Sequence, residues 1–184
     1  MDNQWKAENE FSWSDITGKT NITALYPVYP DLDYIQENLY KNNSLEDILY
    51  VKDEFPAGNS IHLQFKHLFS LLTLYLDRDL QTNLQKIEIT CPAVSSIIPK
   101  SAEIVPADNE THTTTIAQVS PSGNYSFIVP PVKNMVIAIN MVTNGKKYTT
   151  QLETKSFTGN KEYTYHLKTS EKTPGIITAE DWIA

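Results

Sequence analysis

The sequence predicts an all-β protein whose second half, from about Leu84 to Leu167, is a succession of antiparallel strands built for a sandwich. Three observations predict it. One turn dipeptide has flanks that match in register, apolar residues recur with a period of two, and proline and glycine punctuate the runs between them.

The turn is Asn144-Gly145, a pair that tolerates positive φ at both positions and so closes a two-residue type I′ hairpin. Folding the chain about it sets Met141 opposite Tyr148, Ile139 opposite Thr150 and Ile137 opposite Leu152, which gathers the apolar residues on one face. The alternate residues Thr149, Gln151 and Glu153 are polar, as a half-solvated antiparallel strand requires. A slip of one residue destroys the match.

The same period recurs in Ile87, Ile89 and Cys91, in Tyr125, Phe127 and Val129, and in Tyr163, Tyr165 and Leu167. Pro92, Pro99, Pro106, Pro121, Pro130-Pro131, Gly123 and Gly159 are expected to separate these runs, since proline cannot donate to a central ladder. Short strands between turn signals fit a sandwich or a barrel.

Upstream, Ile61, Leu63 and Phe65 alternate with polar residues, and so do Leu72, Leu74 and Leu76, but the two phases differ by one residue. A bulge or one tight helical turn near His67 to Leu71 is expected to absorb the shift, so that both apolar sets face one core. Ser44 and Asp47 have capping-box spacing, which allows a short helix over Leu45 to Tyr50, with an irregular connection as the alternative. Before Pro30, Trp5, Phe11 and Trp13 stand among polar residues and Ile22, Ala24 and Tyr26 alternate. Two strands fit there, as an extra sheet edge or the remnant of a preceding β-domain.

Composition narrows function. The chain has 184 residues, 40% of them apolar, with a formal net charge of −7. Its fifteen basic residues are scattered and Arg78 is the only arginine, which argues against nucleic acid as a partner. The longest apolar stretch, Leu68 to Leu76, is far short of a membrane span, and no transmembrane segment is expected. Met1 to Glu10 lacks the basic-then-apolar order of a signal peptide, as in a mature or trimmed chain. The single cysteine, Cys91, forms no internal disulfide and, lying in the inward phase, reads as a buried thiol rather than a nucleophile.

No catalytic residue, metal ligand or cofactor site emerges, and ligand-binding residues remain unassigned. His62, His67, His112 and His166 form no helical ligand pair, and the acidic pairs Asp31/Asp33, Glu46/Asp47, Asp53/Glu54 and Asp77/Asp79 lack the spacing of a calcium hand. His62 and His166 fall on polar strand faces. His67, at the phase break, is expected to hydrogen-bond backbone groups that the break leaves unpaired. The nucleophile elbow, P-loop and dinucleotide fingerprint are missing. Tyr26, Tyr29, Tyr34 and Tyr40 are the aromatic residues least constrained by strand phase, and so the candidates for stacking on a sugar.

Several stretches resemble the fimbrillin family of Bacteroides-type anaerobes. They are Ile22-Thr-Ala-Leu-Tyr-Pro-Val-Tyr-Pro30, Asp47-Ile-Leu-Tyr-Val51, Leu63-Gln-Phe-Lys-His-Leu-Phe-Ser-Leu-Leu-Thr-Leu74, Phe157-Thr-Gly-Asn-Lys-Glu-Tyr-Thr-Tyr-His-Leu167 and Ile176-Ile-Thr-Ala-Glu-Asp-Trp182, in the family's order and spacing. The Phe-x-His-Leu segment and the closing tryptophan are the most specific. The resemblance covers about Ile22 to Ala184. It implies a transthyretin-like sandwich over residues 44–184, preceded over residues 1–43 by the tail of an N-terminal β-domain and a linker. It further implies a non-enzymatic pilus subunit or surface adhesin without cofactors. Such a subunit joins other pilus subunits by β-strand addition, meets a host protein or glycan, and resides in the fimbrium or outer membrane as a secreted lipoprotein. No acylated cysteine stands at the start of this chain, and no arginine precedes Arg78 to serve the arginine-specific processing of some members. The alternative function is a glycan-binding β-sandwich domain of a surface lipoprotein.

Overall fold

A computed structural model describes residues 17–29, 35–36, 39–58, 61–117, 122–131, 133, 136–153, 157–169 and 177–181. Of the two strands expected before Pro30, the one over Ile22 to Tyr26 forms, and Trp5 to Trp13 lie outside the described residues. In chain order the elements are β1 Lys19–Tyr26, β2 Tyr40–Lys41, β3 Ser44–Leu45, β4 Leu49–Pro56, β5 Lys66–His67, β6 Ser70–Leu76, α1 Arg78–Gln81, β7 Leu84–Ile98, β8 Glu103–Ile116, β9 Asn124–Val129, β10 Val136–Thr143, β11 Lys146–Glu153, β12 Glu162–Thr169 and β13 Ile177–Asp181. Helix is confined to one four-residue turn among the described residues.

Two four-stranded sheets, ordered β11-β10-β7-β8 and β13-β12-β6-β9, share one apolar core. One sheet supplies Ile87, Ile89, Cys91, Ile137, Ile139, Met141 and Leu152, the other Leu72, Leu74, Leu76, Tyr125, Phe127, Val129 and Leu167. These are the period-two residues of the sequence, with Tyr163 and Tyr165 half-buried against the same core. The hairpin forms in the register expected, with Met141 opposite Tyr148, Ile139 opposite Thr150 and Ile137 opposite Leu152. Asn144 (φ 50°) and Gly145 (φ 71°) take the two positive-φ positions. One pairing departs from the antiparallel expectation: β12 runs parallel to β6, with Glu162 opposite Leu71 and Leu167 opposite Leu76.

A second cluster gathers Leu25, Ile35, Leu39, Leu45, Ile48, Leu68, Phe69, Val94 and Ile97. Strand β7 serves both clusters. Its first half buries Ile87 to Cys91 in one, and its far half buries Val94 and Ile97 in the other. Pro92 therefore does not end a strand. The strand runs on through two register shifts, between Pro92 and Val94 and between Val94 and Ser96, and the bulge accommodates the missing N–H. Pro106 is tolerated inside β8 because that strand is the sheet's edge.

Two further expectations are corrected. No helix forms over Leu45 to Tyr50. Asn42 (φ 48°) and Asn43 (φ 62°) instead close a tight β2–β3 hairpin, and β4 starts at Leu49, paired along its length with β1. Asparagine tolerates the left-handed region and so replaces glycine in this turn. Ile61 to Phe65, for all their alternation, form no strand, and Leu63 and Phe65 are exposed. The phase break is not a bulge over one core. At Leu68 and Phe69 the chain leaves the β1-β4-β5 sheet, buries both side chains in the second cluster, and enters the other sheet as β6. Within β1 the inward residue is Leu25, whereas Tyr26 is exposed.

Candidate functional site

The passage from β5 to β6 is held by a distant loop, residues 157–161, whose hydrogen bonds come from both partners. The Asn160 N–H donates to the Phe69 carbonyl at 2.9 Å, the Leu71 N–H to the Lys161 carbonyl at 3.0 Å, and the Ser70 hydroxyl to the Thr158 carbonyl at 2.9 Å. The His67 N–H donates to Asn160 Oδ1 at 3.1 Å. Asn160 turns the loop at φ 60°. Two separate motifs of the sequence, Phe65-Lys-His-Leu68 and Phe157-Thr-Gly-Asn160, thus form one unit.

His67 is not satisfied as expected. Its ring Nδ1 lies 2.6 Å from Asp47 Oδ2, a carboxylate from the segment before β4 rather than an orphaned backbone group. Asp47 Oδ1 is inaccessible to solvent and has no hydrogen-bond partner among the described residues.

Two clefts open on either side of His67 and Asn160. One, of about 280 Å³, is lined by Leu71 and Ile128, cross-strand partners on β6 and β9 of which Ile128 also packs against the second cluster, and by Asp47, Lys161 and Glu162. Glu162 also accepts from the Thr73 hydroxyl at 2.9 Å. The other, of about 330 Å³, is lined by Tyr50, Lys66, Ile104 and Pro131.

The remaining candidates disperse. His166 pairs with Asp77 at 2.9 Å, His62 is exposed, and the His112 ring lies 4.0 Å from that of Tyr40. The Tyr40 hydroxyl accepts from the Val94 N–H at 2.8 Å, the amide released by the β7 bulge, so this residue serves the fold. Tyr29 packs on the second cluster, and burial, followed by the charge of Glu46, pushes its hydroxyl pKa up. Tyr26 is exposed beside Val28, and Tyr34 and the Asp31/Asp33 pair lie outside the described residues. Cys91 is buried, and desolvation pushes its thiol up to about 11. Among the described residues no three histidine, cysteine or acidic side chains stand together as a metal site, and no helix is long and apolar enough to cross a membrane. Sequence spacing did not single out Asn160, Lys161 and Glu162, because their place beside Asp47 and Leu71 depends on the parallel β6–β12 pairing.

The chain belongs to the Fimbrillin-like family, whose model matches residues 1–182. No curated protein matches it. Among solved structures it is similar to candidate cell adhesion proteins from three Bacteroides species. For that of Bacteroides ovatus the TM-score is 0.62 at 18% identity, covering 97% of this chain and 75% of the other. For Bacteroides uniformis the TM-score is 0.61 at 11% identity, covering 91% and 74%. For Bacteroides thetaiotaomicron it is 0.58 at 13%, also covering 91% and 74%. At these identities the likeness is one of fold. The family gives the chain a pilus context.

Proposed function

We propose that this protein is a non-enzymatic subunit of a fimbrillin-type pilus or surface adhesin, joined to other subunits by β-strand addition. The observation that carries the reading is the half-paired strand β4. One side of it is paired with β1 from Leu49 to Pro56, whereas among the described residues the other meets β5 only at Leu49 and Tyr50. The backbone from Val51 to Pro56 can therefore accept a further strand, and main-chain hydrogen bonds supply affinity while alternate side chains supply specificity. The exposed Leu63 and Phe65 next to β5 offer apolar contacts to such a strand.

The same reading takes the two-sheet unit as transthyretin-like and places the protein, as a secreted lipoprotein, at the outer membrane or in the fimbrium. It divides the chain into the tail of an N-terminal β-domain with a linker over residues 1–43 and a sandwich over residues 44–184.

Assembly is tested by proteolytic removal of the residues before β1, followed by incubation with a second subunit and electrophoresis without boiling. A ladder that resists detergent is expected, and Glu54→Pro, which removes an N–H that points away from β1, should abolish it. Strict monomers under all conditions would sink the assembly reading.

A further inference from the structure

We propose that the cleft beside His67 is a carbohydrate-binding site that seats one pyranose ring on Leu71 and Ile128. The inference extends the adhesion reading by naming a ligand class, and it stands on groups that strand addition does not use.

The apolar pair comes first. Leu71 and Ile128 are paired across β6 and β9 on the face turned away from the main core, and both are only half-buried. An apolar pair lining a cleft beside charged and amide groups suits a ligand with one C–H face and one hydroxyl edge. The cleft's volume, about 280 Å³, lies near the low end of ligand pockets, which run from roughly 300 to 1,000 Å³. That suits a single ring better than a long chain.

The polar lining decides the class. Glu162 accepts hydrogen bonds, while Lys161 donates and the His67 ring offers Nε2, its Nδ1 being engaged with Asp47 Oδ2. An ammonium only donates and a carboxylate only accepts, so either leaves half of this lining unmatched. A hydroxyl does both, and neighbouring sugar hydroxyls match alternating donors and acceptors. Asp47 Oδ1 is the second pointer. It is a carboxylate oxygen of a lining residue, withdrawn from solvent and without a hydrogen-bond partner among the described residues. The loop of Asn160 and Lys161 is fixed to β6 through backbone hydrogen bonds, so the polar lining is preorganised rather than assembled on binding. Across His67 the second cleft presents Tyr50, a ring on which the next sugar of an oligosaccharide can stack.

The test is a printed array of mammalian N-linked, mucin-type and plant-wall oligosaccharides, with hits titrated by calorimetry. A defined subset should bind, and Lys161→Ala or Glu162→Ala should each weaken it about tenfold, as expected for a lost charge-assisted hydrogen bond. Leu71→Trp, which fills the cleft, should abolish binding, and circular dichroism melts of the three variants check that they fold. Thr149→Ala, on the exposed face of the other sheet, should leave it unchanged. Binding to none of the sugars would overturn the proposal. So would binding indifferent to both Lys161→Ala and Glu162→Ala, or a stronger hold on Nα-acetyl-lysine amide, the cationic probe, than on any sugar. Subunit laddering is measured separately and is untouched by these outcomes.

Discussion

Gly159 lies so close to Leu68 that a Cβ built on it would stand 2.5 Å from the Leu68 carbonyl oxygen. The obstacle is backbone, in the segment where the chain passes from one sheet to the other, and it cannot rotate aside. The glycine is therefore required by close approach, and it explains how two motifs distant in sequence come to touch.

Gly159→Ala should cost about 1 to 3 kcal/mol, the usual penalty of overpacking. Urea denaturation measures it, with Thr149→Ala, an exposed position on the other sheet, as the comparison. An unchanged midpoint for Gly159→Ala would mean that the loop does not clamp the crossover.

Tyr40→Phe keeps the ring against His112 but removes the acceptor for the Val94 N–H, a buried residue at the β7 bulge. Leaving that donor unsatisfied should cost about 1 to 3 kcal/mol. Amide hydrogen exchange gives the direct readout. Val94 should lose protection in the variant while Ile89, in the regular half of β7, keeps it.

Cys91 gives a pH dependence. Burial raises its thiol from 9.0 to about 11 in the folded protein. Between those pH values the unfolded chain has lost the proton and the folded chain still holds it, so stability is full below pH 9 and falls as pH rises towards about 11. Tyr29, Tyr40 and Tyr50, also raised by burial, add to the decline at higher pH. Thermal melts of the wild type and Cys91→Ala separate the contributions: the variant should show a shallower loss over this range. Parallel slopes would contradict the buried-thiol account.

Where a pattern depends on neighbours in sequence, the structure follows it. Ile137, Ile139 and Met141 find their partners because Asn144-Gly145 fixes the register locally. Patterns whose meaning depends on distant partners go astray. Ile61, Leu63 and Phe65 alternate like a strand, yet pairing with β4 stops at Lys66, and alternation alone supplies no hydrogen bonds. Ser44 and Asp47 have a helix cap's spacing, but the preceding Asn42-Asn43 turn commits the chain to a hairpin, and Asp47 is taken by His67. Pro92 sits inside a strand because a bulge and the Tyr40 hydroxyl provide for the irregular backbone there. For the candidate cleft, His67 was visible as a phase break, whereas Lys161 and Glu162 became relevant only through the crossover.

The parallel pairing of β6 with β12 also sets a timetable. Strand β6 lies inside its sheet, between β12 and β9, and neither partner is synthesised until much later in the chain. Leu72, Leu74 and Leu76 therefore wait for a first partner until Tyr125 to Val129 have emerged, and for the second until Tyr163 to Leu167. Loops of that length close slowly, so folding is late and nearly all at once. Such a polypeptide stays threadable for most of its synthesis, and becomes rigid only when its last strands arrive.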